Sequence, residues 1–400
     1  MKFFWIFAAL FAVTSGHLAA QQRFAVRPEP GTPLVAVELL VATGAIEETA
    51  SQAGVAYVAA RAAVRPIRAE LESLGARVMV TAEKDAVSFS LLAAPDVWEA
   101  ATRLLLTAVY RDEPNTAAMV AERDAVRAEL LPKEGNPANT LTREVDAAVF
   151  GPRHPWARPA VGYARTVEKL SAANVDAFMR GNLLAERSWL AVAGPVDPAL
   201  VATLVRPFLP DAPWQPMTAP ETTPARSAIR RNYNYITSWV AASYGFGPEA
   251  DLPALVLLAD LVADQLGYGP TRRAVYDARG EVMQVGDGGE VRFHVVVPPN
   301  QGRVWQTRVQ DVVASFADQP LSDAAFQEHL RRYRGIHLLR LSSPEARARE
   351  TARALFRSGG RERTPLALEP VTAERLRAAA QALEPPVLVF LGPTTAGRAD

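Results

Sequence analysis

The alternation of apolar and polar positions divides the chain into short apolar runs and longer amphipathic stretches. The apolar run SWLAVAGPVD from Ser188 predicts a buried strand. The stretches from Ser51 to Arg65 and from Asn115 onwards predict helices, and the second of these opens on a cap-type residue. Strands and helices that do not strictly alternate predict an α+β fold rather than a doubly wound parallel sheet.

The order of these elements repeats in the second half of the chain. Four pairs of segments correspond, and the first two pairs share an offset of 207 residues. The pairs are the helical stretches starting at Asn115 and Ser322, the dipeptides Asn136-Pro137 and Ser343-Pro344, the segments starting at Leu170 and Val371, and the apolar strands starting at Ser188 and Pro386. One such pair could be a chance similarity between alanine-rich helices, but four pairs in the same order predict a duplication.

A proline-rich stretch separates the two copies. It runs from Pro207 to Pro224, carries no hydrophobic period and predicts an extended linker. A chain of 400 residues, of which 49% are apolar, exceeds what one core holds. We therefore predict an N-terminal domain over residues 21–206, a linker over 207–227 and a C-terminal domain over 228–400.

The N-terminus has the pattern of a secretory signal peptide. Lys2 precedes an apolar run from Phe3 to Val13, and Leu18-Ala19-Ala20 provides small residues for cleavage before Gln21. The run is too short to span a bilayer. We expect residues 1–20 to be removed and the chain to be exported to a bacterial periplasm with no membrane span left; a retained membrane anchor is the alternative.

Charge and cysteine content exclude several other classes. Basic and acidic residues balance at 43 each, which gives no electrostatic case for a nucleic-acid partner. The sequence contains no cysteine, so a disulfide framework, cysteine catalysis and cysteine-ligated zinc are all excluded. Stability must therefore come from packed cores.

Several long segments together resemble one known family. They are VAVELLVATGAIEETASQAGVAYVAARAAV from Val35, LESLGARVMVTAEKDAVSFSLLAAPDVWEAATRLL from Leu71, AERDAVRAELL from Ala121, HPWARPAVGYARTVEKLSAANVDAFMRGNL from His154, and LGYGPTRRAVYDARG from Leu266. Their order resembles the insulinase/pitrilysin zinc metallopeptidases, specifically short two-domain members such as the mitochondrial processing peptidase subunits. The resemblance implies two duplicated α/β-sandwich halves of a clamshell, each a mainly antiparallel sheet with helices packed on it.

The zinc motif of that family is missing here. Active members carry an inverted H-x-x-E-H helix, in which two histidines bind zinc, the glutamate takes a proton from zinc-bound water, and a later glutamate is the third ligand. The resemblance places these motif positions at Tyr57, Ala60 and Arg61, and it keeps only the distal Glu129, with Glu122 before it. Tyrosine is a poor zinc ligand, alanine moves no proton and arginine repels a metal. We predict no metal and no catalytic residue in this chain.

The vacated positions suggest an ion pair instead. We expect Arg61 to reach Glu129 or Glu122 and to fill the volume of the metal, because a buried carboxylate without a partner is costly. The alternative is that Arg61 and Glu129 point to water independently. No other hydrolase pattern is present: no G-x-S-x-G occurs, and no remaining histidine has a second ligand at helical spacing.

Candidate peptide-binding residues come from the resemblance alone. Arg272 and Arg273, in a Gly-rich loop of the second half, correspond to a position that contacts substrate in the family, and Tyr268 and Tyr276 are the candidates to replace the family's tyrosine. The alternative is that both arginines only cap a helix. An edge strand near Met79 and Val80 would accept a peptide as an added strand, although methionine replaces the asparagine usual in active members.

Two functions follow from the resemblance. The first is a non-catalytic subunit of a heterodimeric metallopeptidase, which shapes the chamber and holds peptide for a homologous zinc-bearing partner. The alternative is a stand-alone peptide-binding or scaffold protein of the same fold, as metal-free relatives in a respiratory complex are structural.

Overall fold

A computed structural model describes residues 22–210, 228–233, 236–268, 275–285, 288–299, 301–319, 321–361 and 371–393. The predicted signal peptide and most of the predicted linker lie outside these ranges. We refer to residues 22–210 as the first half and to residues 228–393 as the second half. No helix in the described ranges is both long and apolar enough to cross a membrane.

The first half contains a five-stranded sheet and the helices that follow its strands. In chain order its elements are β1 (Phe24–Pro28), β2 (Val35–Val41), α1 (Val55–Val64), α2 (Arg68–Ser73), β3 (Arg77–Ala82), β4 (Val87–Ala93), α3 (Trp98–Tyr110), α4 (Thr116–Leu130), α5 (Pro137–Phe150), α6 (Ala164–Val167), α7 (Ala172–Asn182), β5 (Ser188–Gly194) and α8 (Pro198–Val205).

The second half repeats this arrangement. Its elements are β6 (Ile229–Asn232), β7 (Ser238–Phe246), α9 (Leu252–Tyr268), β8 (Asp277–Val285), β9 (Gly288–Val297), α10 (Gly302–Asp318), α11 (Asp323–Arg340), α12 (Pro344–Arg357), α13 (Ala373–Gln381) and β10 (Val387–Gly392).

Sheet topology confirms the predicted α+β fold with two duplicated halves. The first sheet has the order β1-β5-β2-β4-β3 and the second has the order β6-β10-β7-β9-β8, so every strand has a counterpart. Only the pairs β1–β5 and β6–β10 are parallel among the described strands, and the other neighbours are antiparallel. The short strands β1 and β6 were not predicted, because five and four residues give too little pattern to identify.

Matching caps start the duplicated helices where the sequence placed them. The side chains of Asn115 and Ser322 accept hydrogen bonds from backbone N–H groups at the starts of α4 and α11. Asn136 and Ser343 do the same for α5 and α12, each with proline at the first helical position.

Each half has its own main hydrophobic core between its sheet and its helices. In the first half, Leu39, Phe89 and Leu190 are fully buried on one face of the sheet. Phe208 and Leu209, which fall in the predicted linker, are buried in this same core. The packed first half therefore extends beyond residue 206.

Two helices cross from one half to the sheet of the other. Helix α12 of the second half packs on β1, β2 and β5, where Leu355 is fully buried beside Leu40 and Trp189. Helix α5 of the first half packs on β7 and β10, where Val145 is buried beside Val389. Each sheet thus has one face covered by its own helices and part of the other covered by the opposite half.

One local prediction in the second half needs correction. The Gly-rich loop predicted at LGYGPTRR is wrong for its first three residues, because helix α9 continues through Gly267 to Tyr268; residues 269–274 lie outside the described ranges. The next described element is strand β8, which starts at Asp277. The apolar period of α9 outweighs the local preference of Gly267 for a loop, because the helix packs along the core.

Candidate functional site

A buried glutamate fixes the start of helix α1. Glu48 accepts hydrogen bonds from the backbone N–H groups of Gly54 and Ala56, both at 2.9 Å. Gly54 has φ of 98°, a left-handed conformation that favours glycine. Burial raises the pKa of Glu48 to about 7, although both backbone hydrogen bonds act to lower it. This turn sets the direction of the helix that carries Tyr57, Ala60 and Arg61.

Arg61 makes the ion pairs that the sequence suggested, with both glutamates of α4. Its Nε donates to Glu122 Oε2 at 2.6 Å, and its Nη1 donates to Glu129 Oε2 at 2.9 Å. The same Nη1 donates to the Tyr57 hydroxyl at 3.2 Å, and the guanidinium lies 5.3 Å from the centre of the Tyr57 ring. The alternative, in which Arg61 and Glu129 point separately to water, is excluded by these contacts.

Further cations surround the two carboxylates. Glu122 is fully buried, and its Oε1 accepts from Arg65 at 2.8 Å and lies 3.0 Å from Arg68 Nη1. Glu129 Oε1 accepts from Lys133 at 2.9 Å. Four cationic side chains therefore contact two carboxylates, and the site carries an excess of positive charge.

The pKa values follow from these contacts. Partial burial acts to raise the pKa of Glu129, but hydrogen bonds and charge from Lys133 and Arg61 outweigh it and hold that pKa below its ordinary value. Burial acts to lower the pKa of Arg61, but its bond to Tyr57 and the charge of Glu122 outweigh burial and raise it. Both groups are ionised at neutral pH.

These residues do not fit a zinc ion. A catalytic zinc ion needs about three protein ligands of the imidazole, thiolate or carboxylate type, with water in the fourth position. Here the place between the carboxylates is taken by a guanidinium, Ala60 is fully buried among apolar side chains, and Tyr57 is bonded to Arg61. No group of three or more potential ligands occurs anywhere in the described ranges.

An edge strand runs beside this site. Strand β3 is the outer strand of the first sheet and pairs with β4 alone among the described strands. Met79 on β3 is 51% exposed, whereas Val80 is half-buried and packs against the cluster that contains Tyr57. The edge predicted from the sequence is present; its use by a peptide stays a prediction.

The other candidate peptide contacts are only partly described. Arg272, Arg273 and the side chain of Tyr268 lie outside the described residues. Tyr276 is 65% exposed just before β8, and its backbone N–H donates to the carbonyl of Val296. The substrate-binding assignments of these residues therefore stay predictions.

Sequence reasoning missed three members of the site. Arg65, Arg68 and Lys133 all contact the carboxylates, and the first two follow Arg61 by four and seven residues. That spacing places them on one side of a helical stretch, which is the signal that could have identified them. The H-x-x-E-H pattern covers only the positions of Tyr57, Ala60 and Arg61, so it does not indicate these three cations.

Comparison with known sequences gives a short match. No protein-family model matches the sequence. A segment of 85 residues, 21% of the chain, is 35% identical to uncharacterised zinc proteases from Mycobacterium tuberculosis and Mycobacterium bovis. The match spans 19% of the length of these relatives.

Comparison with solved structures covers nearly the whole chain. A peptidase M16 inactive domain from Pseudomonas fluorescens aligns with a TM-score of 0.78 and 17% identity, over 95% of this chain and 98% of that one. A protease from Helicobacter pylori aligns with a TM-score of 0.77 and 14% identity, over 94% and 98%. A chain of Complex III2 from Candida albicans aligns with a TM-score of 0.76 and 12% identity, over 92% and 93%. At these identities the likeness establishes the fold.

Proposed function

We propose that this chain, which has the fold of the M16 (insulinase/pitrilysin-type) peptidases, is a non-catalytic subunit of a two-chain metallopeptidase. It forms half of the chamber and holds peptide, while a homologous partner carries the zinc. This chain itself contributes structure and peptide binding.

The observation that carries this proposal is the placement of Arg61. Its guanidinium supplies a permanent internal cation to Glu122 and Glu129, where active relatives would place a metal ion. The carboxylates of α4 are thereby neutralised without a metal, and the packing of α1 on α4 is kept. A chain that retains this frame without its ligands is suited to support a partner's chemistry.

Peptide holding is supported by the outer edge of β3, which pairs with no second strand in the described ranges. Backbone groups on the outer side of an edge strand can bond an extended peptide with little dependence on its sequence. The exposed Met79 side chain lies on that strand, beside the ion-paired site. We further propose export of the chain to the periplasm, where its partner would also be located.

The test is co-expression with the zinc-bearing homologue from the same genome. Peptide cleavage and zinc content are measured for each chain alone and for the pair. We expect zinc-dependent cleavage by the pair, loss of that cleavage when this chain is omitted, and no loss with Glu129→Ala in this chain. As the matched control, the glutamate zinc ligand of the partner is replaced by alanine, which should abolish cleavage. Zinc and activity in this chain alone would overturn the proposal.

A stand-alone scaffold is the second candidate, and one observation favours it. A chain of this fold occurs in a structure of Complex III2 from Candida albicans. Failure to form a complex with the zinc-bearing homologue, with no gain in cleavage, would support the scaffold over the peptidase subunit.

A further inference from the structure

The arginines around Glu122 outnumber the carboxylates that they contact. The Oε2 atom of Glu122 accepts from Arg61 Nε at 2.6 Å. Its Oε1 atom lies 2.8 Å from Arg65 Nη1 and 3.0 Å from Arg68 Nη1, and we refer to Arg65 and Arg68 as the outer arginines. One carboxylate therefore lies between three guanidinium groups, and it can balance only one of their three positive charges.

Glu129 does not remove this excess of positive charge. One of its oxygens accepts from Arg61 at 2.9 Å, but the other accepts from Lys133, also at 2.9 Å, so that a fourth cation joins the site. In the part of the chain that the structure describes, the outer arginines form ion pairs with no further carboxylate. Four cations therefore face two carboxylates, and two positive charges stay unbalanced.

The outer arginines are accessible from solvent, although the carboxylate that they hold is not. Glu122 has no exposed side-chain surface, whereas the side chains of Arg65 and Arg68 are 42% and 34% exposed. An arginine side chain carries five N–H donors, and each outer arginine directs one nitrogen at Glu122. Neither side chain donates to any other group of the described residues, so its remaining N–H groups are available to an anion that arrives from solvent.

The outer arginines also lie close to the proposed peptide site. Arg65 follows the last residue of α1, and Arg68 is the first residue of α2. Both helices contact β3, the edge strand at which we propose that a peptide binds. The unbalanced positive charge beside this strand should favour an anionic group of the peptide over a neutral one.

We propose that Arg65 and Arg68, together with Arg61, bind a carboxylate group of the peptide. Guanidinium groups bind carboxylates through parallel, charge-assisted N–H···O bonds, which are stronger than bonds between neutral groups. The peptide carboxylate would balance part of the charge that Glu122 and Glu129 leave. This inference rests on the proposed peptide-holding function and adds a preference for an anionic group, which either the C-terminus of the peptide or an acidic side chain can supply.

The experiment measures peptide binding by the isolated full-length chain with isothermal titration calorimetry. Three N-acetylated peptides built from alanine and serine are compared. The neutral peptide has a central glutamine and an amidated C-terminus; the second has glutamate in place of that glutamine, and the third keeps the glutamine but has a free C-terminal carboxylate. We expect at least one of the two anionic peptides to bind about tenfold more tightly than the neutral one. The peptide with the higher affinity identifies the source of the carboxylate.

Substitution of the outer arginines tests the site itself. Arg65→Gln and Arg68→Gln should each reduce the affinity ratio to about threefold or less, because each removes one cation and its donors. Glu122 keeps two arginine partners in either variant, so the melting temperature should stay close to that of the unsubstituted chain.

Arg206→Gln is the matched control. It removes the same charge from an exposed position at the end of α8, a helix that contacts β1 at the opposite edge of the sheet from β3. The affinity ratio should therefore stay unchanged. An equal loss in Arg206→Gln and Arg65→Gln would show a general attraction to positive charge and would overturn the inference.

The remaining outcomes separate this inference from the function on which it rests. If all three peptides bind equally, or if Arg65→Gln and Arg68→Gln keep the full ratio, the carboxylate site is wrong while peptide holding stands. If none of the three peptides binds, the proposed peptide-holding function fails together with this inference.

Discussion

At the scale of single residues, Arg61 determines the chemistry of the first-half site. Its Nη1 lies within hydrogen-bond distance of Tyr57 and Glu129, so that three side chains converge on one point. This convergence is what a metal site requires, but the central cation here belongs to the protein. The sequence predicted the ion pair because a buried carboxylate needs a partner.

This geometry predicts that two substitutions restore metal binding. Tyr57→His with Arg61→His places two imidazoles four residues apart on α1, facing Glu129 on α4. We expect about one zinc ion per chain, measured by elemental analysis after gel filtration. Adding Glu129→Gln should remove it, and Arg61→His alone should bind far less. Absence of zinc from the double variant would show that α1 and α4 are not spaced as in a metal site.

Glu48 predicts a pH dependence of stability. Its pKa is about 7 in the folded chain and 4.5 is its ordinary value, so the folded chain binds more protons between these values. The contribution of protonated Glu48 to the free energy of unfolding is complete below about pH 4.5. It is lost as the pH rises through 7, and the loss is up to roughly 3 kcal/mol.

Thermal unfolding between about pH 5 and pH 8 checks this contribution. Glu48→Gln, which cannot ionise, should flatten the fall in melting temperature over this range. Glu70→Gln, on the exposed side of α2, should keep the wild-type slope. An unchanged slope in Glu48→Gln would contradict the assignment.

At the scale of elements, helices α5 and α12 join the two halves, because each packs on the sheet of the opposite half. The two helices follow the matching dipeptides Asn136-Pro137 and Ser343-Pro344, and the first residue of each dipeptide caps its helix. Their period indicates an apolar face, but it does not state which sheet that face covers. Burial of Leu355 against the first sheet is a tertiary outcome.

Leu355→Ala should therefore destabilise the opposite half. The Leu355 side chain is fully buried against the first sheet. Its truncation should therefore lower the free energy of unfolding by about 3 kcal/mol. We expect hydrogen exchange to accelerate in β2 and β5, although the substitution lies in the second half. Leu200→Ala, at a position that is 49% exposed on α8, should have little effect. If hydrogen exchange became faster in α12 alone, the result would contradict the packing of α12 on the first sheet as a source of its stability.

At the scale of the whole molecule, buried charges also join the halves. Asp146 on α5 accepts from Lys84 of the first half at 2.6 Å and from Arg292 on β9 at 2.6 Å. Arg292 also bonds Glu290, which accepts from Ser243. Burial acts to lower the pKa of Arg292, but Glu290 and Asp146 outweigh it, so the guanidinium stays charged. Removing one member would leave a buried charge without its partner, which is costly.

The two copies have also diverged in charge. The first-half site surrounds Glu122 and Glu129 with four cations, whereas a cavity between α9 and α11, the counterparts of α1 and α4, presents Asp260 and Asp264. A single frame thus carries two carboxylates surrounded by four cations in one half and a cavity lined by both acidic and basic side chains in the other.

The sequence alone determined the duplication, the α+β class, the capped helix starts and the absence of zinc ligands at Tyr57, Ala60 and Arg61. These features depend on local periodicity and on side-chain chemistry, which are readable position by position. Tertiary structure decided that Arg65, Arg68 and Lys133 join the site and that α5 and α12 cover opposite sheets. Each of these depends on contacts between segments far apart in the chain, and a one-dimensional pattern shows which face is apolar without showing what that face meets.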